Sequence, residues 1–167
     1  TKVKGKAVES LSTDDTEEFT VAELIKRVNI LMKHELKNAY IYLNVLMKID
    51  ENQIIHGNVN VLVQVVNNMI SNAIQAYAGK HDQNIQLEIS NIDNYINISI
   101  TDFAGGLPKE VQDRLFKEMI TTKGKNGTGL GLYMSYSNIK AHFGGDITYQ
   151  TEDGKGTTFN ILIPMNK

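Results

Sequence analysis

The 167-residue chain has no cysteine, no tryptophan and only two prolines. Without cysteine there is no disulfide framework and no thiolate metal site. No apolar run approaches the length needed to span a bilayer, and no signal-peptide pattern opens the chain. Neither sign of charge dominates: 17 Lys and Arg against 19 Asp and Glu give a net charge of −2, which argues against nucleic acid as a partner. What is present is an apolar fraction of 41%, enough to build one real core in a chain of this length. Residues 1–17 are polar and charged, with little to bury, and are expected to be a linker or a remnant of an upstream region. The folded domain is expected over 18–167, cytoplasmic, cut from a longer parent that could carry a membrane anchor.

The periodicities predict a mixed α/β architecture. Thr20 or Thr16 is placed to cap a helix whose stripe includes Val21, Leu24, Val28 and Met32. A strand is expected over 39–47. A long helix over 58–80 should start near Asn58 or Asn60 and stop at Gly79. "NIQLEISNI" and "NYINISITD" alternate cleanly and should pair as antiparallel strands turning at 91–94. A Gly/Pro loop then leads to a short helix over 109–119, and a further helix should run to about His142. The chain closes in a hairpin turned at Asp153-Gly154. Strands arriving as hairpins suit a largely antiparallel mixed sheet covered by helices better than a doubly wound parallel one.

Chemistry concentrates in four places. "TTKGKNGTGLGLYMS", from Thr121 to Ser135, spaces Gly127, Gly129 and Gly131 alternately before a helical pattern. It is not a P-loop, because Leu130 and Leu132 follow the glycines where Lys is required. It is not a dinucleotide fingerprint either, because Leu132 and Met134 occupy the third glycine's place. On the 58–80 helix, Asn68 and Asn72 lie one turn apart at the border of the apolar face. Asn is a poor helix-interior residue. The pair is either two solvated amides or two carbonyl oxygens aimed at a hard cation such as Mg²⁺. Asp102 sits where a strand ends, beside Gly105 and Gly106. It is a turn former or a half-buried acceptor for an amino group such as that of adenine. In "GKGTTF", a hydroxyl of Thr157 or Thr158 could bridge to a base.

Taken in order, these boxes resemble the ATP-binding domain of bacterial sensor histidine kinases, in the wider group of gyrase B, the Hsp90 chaperones and MutL. "NNMISNAIQA" is similar to the family's N box, and "DFAGGL", "GTGLGL" and "GKGTTF" to its three glycine boxes. "RLFKEMITTKG" is similar to its F box. The resemblance covers roughly 18–165, and "NAIQA" with "TTK" is nearest the nitrogen-regulator type. It implies a Bergerat-type fold, with a mixed, largely antiparallel sheet and helices on one face. By the same resemblance Asp102 would accept the adenine amino hydrogen, with Gly106 beside it and Thr157 supporting that edge through water. Asn72, assisted by Asn68, would coordinate Mg²⁺. Gly129, Leu130 and Gly131 would offer N–H groups to the ATP phosphates, a role that suits a helix N-terminus. Lys123 would reach the terminal phosphate, and residues 107–126 would form a mobile lid latched by Phe116. Four positions depart from the family pattern: Ala104 for Gly, Met119 and Ile120 for aromatic residues, and Gln75 for a frequent Lys.

The ATP-hydrolysing branch carries a Glu one turn before the N-box Asn as the general base, and here that residue is Asn68. An amide takes no proton at neutral pH, so the resemblance implies phosphoryl transfer to histidine. "KHELKNA" imitates an acceptor motif around His34, but Ala39 replaces its Pro and too few residues separate it from Asn72. The acceptor is therefore expected in a separate dimerisation domain, with a response-regulator receiver domain downstream. The parent is expected to be a homodimer and this fragment a monomer. An anti-sigma-type serine kinase and a nucleotide-gated, non-enzymatic binding module are the alternatives.

Overall fold

A computed structural model describes residues 17–113 and 127–165, with backbone only at 127–131. Strand β1 (Glu18–Thr20) runs straight into helix α1 (Val21–Ala39). Of the two candidate caps it is Thr20 that serves, its hydroxyl accepting from the Glu23 N–H at 3.1 Å. The helix ends at Tyr40, which turns left-handed (φ 57°) and returns its N–H to Leu36 and Lys37. Strand β2 (Ile41–Met47) therefore starts two residues later than the apolar pattern suggests.

Strand β3 (Ile54–His56) pairs antiparallel with β1. This small sheet is absent from the sequence expectations, since three-residue strands carry almost no periodicity. Helix α2 (Val59–Ala76) follows. Asn58 is its cap, accepting from Asn60 N–H at 2.9 Å and Val61 N–H at 3.2 Å. Asn58→Ala leaves both donors without an acceptor and should cost about 1 kcal/mol, within the usual range for cap removal. A urea midpoint that does not move would show that water satisfies these donors equally well.

α2 stops at Ala76, short of Gly79, because Tyr77 bonds back three residues to Ile74 and Ala78 then turns left-handed (φ 50°). Strands β4 (Gln83–Ile92) and β5 (Tyr95–Asp102) form the expected hairpin, and a helical segment is described over 109–113. The remainder of that helix and most of the lid region lie outside the described residues. Helix α3 (Gly127–Phe143) leads to the closing hairpin of β6 (Asp146–Glu152) and β7 (Gly156–Pro164).

The main sheet has the order β2-β4-β5-β7-β6. Only β2 and β4 are parallel; the other three pairings are antiparallel. The mixed, largely antiparallel sheet inferred from the sequence is thus observed. Alternation sorts its two faces. Ile85, Leu87 and Ile89 of β4 and Ile96, Ile98 and Ile100 of β5 are buried; α2 packs on these central strands and on α3, which itself lies against β6 and β7. Each such side chain contributes about 1.5–3 kcal/mol by leaving water. Polar residues such as Ser99, Asn160 and Thr148 alternate with them and join across strands, Ser99 donating to Asn160 at 2.7 Å.

Candidate functional site

The antiparallel register sets Asp102, the last residue of β5, opposite Thr157 near the start of β7. Inward parity with Ile98 and Ile100 turns the Asp102 side chain toward the helices, and it is only 6% exposed. Its Oδ1 accepts from the Ala104 N–H at 3.0 Å. Burial pushes this carboxyl above its ordinary value, and hydrogen bonds from the backbone of Ala104 and Thr157 partly offset the push.

The two threonines of "GKGTTF" separate by the same parity. Thr157 lies on the buried side with Phe159 and Ile161. Thr158 faces the other way, its hydroxyl 2.8 Å from that of Thr101. The alternation of "TTFNILI" already contains this answer, because the apolar residues fix which threonine turns inward.

The loop after Asp102 is stitched to the closing hairpin. Gly105 accepts from the Gly154 N–H at 2.9 Å and donates to the Lys155 carbonyl at 3.3 Å. Gly106 has φ 90°, and a Cβ there would meet the Glu152 carbonyl oxygen at 2.6 Å, so the position needs glycine on both counts. Thr151 completes the seam: its hydroxyl accepts from the Leu107 N–H at 2.8 Å and lies 2.9 Å from the Thr157 hydroxyl. Sequence reading missed Thr151, although inward parity with Ile147 on β6 is a legible signal.

The second half of the site is the seam between α2 and α3. Asn68, half-buried, donates its Nδ2 to Ser135 Oγ at 3.4 Å. Ser135 is 1% exposed, a polar residue on the stripe that Leu132 and Ile139 bury. That misfit of residue type and position is the signal the sequence carries for it. Asn72, one turn on, is half-buried. Gly129 and Leu130 are the third and fourth residues of α3, in the first turn, where backbone donors lack intrahelical acceptors, and Gly131 follows as the fifth. Gln75 is exposed on α2. Lys123, Phe116, Met119 and Ile120 lie outside the described residues. His34 is an exposed residue of α1.

Tyr77 joins the two halves. It caps α2, is 2% exposed, accepts from the Phe103 N–H at 2.7 Å and donates to the Asn84 carbonyl at 2.5 Å. Among the described residues no group of three or more His, Asp or Glu side chains could hold a metal ion. The side-chain amide oxygens of Asn68 and Asn72 are donors of the kind that suits Mg²⁺. No helix among the described residues is long and apolar enough to cross a membrane.

Residues 57–167 match the family model described as histidine kinase-, DNA gyrase B-, and HSP90-like ATPase. Among curated proteins, the sensor histidine kinase ZraS of Escherichia coli K12 is 38% identical over 105 residues, covering 63% of this chain and 22% of ZraS. The chain thus spans about a fifth of that relative's length. The catalytic domain of histidine kinase ThkA, in a nucleotide-free form, superposes with a TM-score of 0.73 at 25% identity, over 90% of this chain and 98% of that one. ThkA in complex with the response regulator protein TrrA is also similar in fold, with a TM-score of 0.71 at 22% identity over 90% of this chain and 42% of that one.

Proposed function

Because this chain belongs to the histidine kinase-, DNA gyrase B-, and HSP90-like ATPase family, we propose that it is the Mg-ATP-binding catalytic domain of a two-component sensor histidine kinase. The observation that carries the reading is Asp102. It is a buried carboxylate held by backbone donors at a strand end, beside the hydroxyls of Thr157 and Thr151. Such an acceptor suits an exocyclic amine, and Thr157 suits a bridging water on the same edge.

Asn68 and Asn72 on α2 supply amide oxygens for Mg²⁺, which when bound neutralises phosphate charge. With its nitrogen engaged by Ser135, Asn68 keeps an oxygen for that role. The start of α3, at Gly129, Leu130 and Gly131, receives the phosphates, and Lys123 serves the terminal one. An amide at position 68 gives no general base for water, which supports transfer of the γ-phosphoryl group to a histidine rather than hydrolysis. Residues 18–167 form the catalytic domain with a lid at about 107–126, and 1–17 link it to the parent. The acceptor histidine lies in a separate dimerisation domain of a homodimeric parent, and a response-regulator receiver domain takes the phosphoryl group onward. The kinship with the sensor histidine kinase ZraS, and the fold shared with the TrrA-bound ThkA, support the response-regulator partner.

Calorimetric titration of ATP with and without Mg²⁺ tests the metal assignment. Asn72→Ala should weaken the Mg-dependent binding at least about tenfold, the lower end of effects for residues that support a metal. It should leave Mg-free binding nearly intact; equal losses would remove Asn72 from the metal shell. Labelling by γ-labelled ATP should be negligible for the fragment and appear once a histidine-bearing dimerisation domain is joined to it. A fragment that labels itself, and loses the label in His34→Ala, would overturn this division of labour.

A further inference from the structure

A tyrosine on the buried face of a helix does not by itself need its hydroxyl; phenylalanine would pack as well. At Tyr77 the hydroxyl is fully committed. The Phe103 N–H can only donate, so the single phenolic proton goes to the Asn84 carbonyl. One oxygen thereby fixes three backbone segments: the end of the N-box helix α2, the first residues of β4 and the residue that follows Asp102. Burial pushes the phenol above its ordinary value, the Phe103 N–H partly offsets this, and the neighbouring Asp102 charge adds a smaller upward push. The proton stays on the oxygen and the direction of both bonds is set.

We infer that Tyr77 is a positioning residue for base specificity: by holding the Phe103 backbone it fixes the direction in which the Asp102 carboxylate meets a purine amine. The inference rests on the nucleotide-binding reading of Asp102 and deepens it. Phe103 is itself 54% exposed, so its backbone bond to Tyr77 anchors residue 103, between the Asp102–Ala104 turn and the Gly105 bonds to the closing hairpin. The ligand class selected is a purine nucleotide with a donor at position 6, as in adenine. Hypoxanthine, which presents a carbonyl there, gains nothing from a well-aimed acceptor.

The test is Tyr77→Phe in the full chain, with dissociation constants for Mg-ATP and Mg-ITP measured by calorimetry. ATP binding should weaken about tenfold, as expected when a part-buried N–H loses its acceptor beside the contact. ITP binding should change by less than about twofold, so that the ATP preference collapses. Equal weakening of both nucleotides would reduce Tyr77 to a structural residue and overturn the inference, while sparing the reading of Asp102. A wild-type chain that binds both nucleotides equally would overturn the reading of Asp102 and the inference with it. If the variant does not fold, the Phe103 amide resonance of the wild-type chain decides. A shift with ATP and not with ITP supports the inference, and no difference overturns it.

Discussion

Asp102→Asn should weaken ATP binding about tenfold or more while leaving the nucleotide-free protein no less stable at neutral pH. The first half follows from donor counting. In the native chain the carboxylate offers only acceptors: one oxygen takes the Ala104 N–H, and the backbone of Thr157 supplies a further hydrogen bond. An asparagine must aim its NH₂ at something. Toward the backbone it meets donors already in place, and toward the cleft it meets the adenine amine. Either way two donors face each other in a buried site, at a cost of about 1–3 kcal/mol, or roughly five- to 150-fold in affinity. Calorimetry that finds wild-type affinity would sink the adenine assignment.

The second half follows from linkage. Burial raises the Asp102 carboxyl above its ordinary value, and the backbone hydrogen bonds lower it less. A carboxyl raised on folding contributes stability below its unfolded value and loses it as pH rises through the folded one. Ionising Asp102 in the folded chain therefore costs stability, a loss that the non-titrating amide does not suffer. Thermal unfolding across pH should show the native chain losing stability above the carboxylate range relative to the variant. A variant less stable than the native chain at every pH would mean that Asp102 holds the fold together rather than the ligand.

The elements that were legible in the sequence are those with a long repeating signal. β4 and β5 alternate over 10 and 8 residues, and α1 and α2 carry apolar stripes over 19 and 18. Asp102 could be found because a strand ends on it and glycines follow. The β1–β3 pair could not be found, because its energy comes from three backbone pairings between residues 34–38 positions apart. Tyr77 illustrates a different limit. Its hydroxyl acts on the backbone of Asn84 and Phe103, groups every residue possesses, so no side-chain pattern advertises the contact. Thr151 and Ser135 fall between these cases. Their inward placement follows from parity and helical period, but their partners depend on how the hairpin and α3 meet the rest of the fold.

Gly156→Ala should be the most disruptive single methyl in this site. A Cβ at Gly156 would overlap the Asp102 carbonyl oxygen and lie 2.9 Å from both the Asp102 carbonyl carbon and the Phe103 Cα. All three are backbone atoms, so no side chain can rotate away, and β5 and β7 must separate where Asp102 faces Thr157. Overpacking of this kind costs typically 1–3 kcal/mol, and a wholly backbone collision belongs at about 3. ATP affinity should fall more than about tenfold as well, because the displaced atoms belong to the acceptor itself. Gly154→Ala two residues earlier separates this steric cause from ordinary turn strain. Gly154 has φ 83° but nothing within 4 Å of an added Cβ, so its cost should be only the left-handed penalty of about 1–2 kcal/mol. Its ATP affinity should stay within about threefold of the native value, a difference of under 1 kcal/mol. Paired urea denaturation and ATP titration of the two variants would read both effects. If Gly156→Ala proved no worse than Gly154→Ala in both, the close approach of β7 to Asp102 would not be what shapes the acceptor.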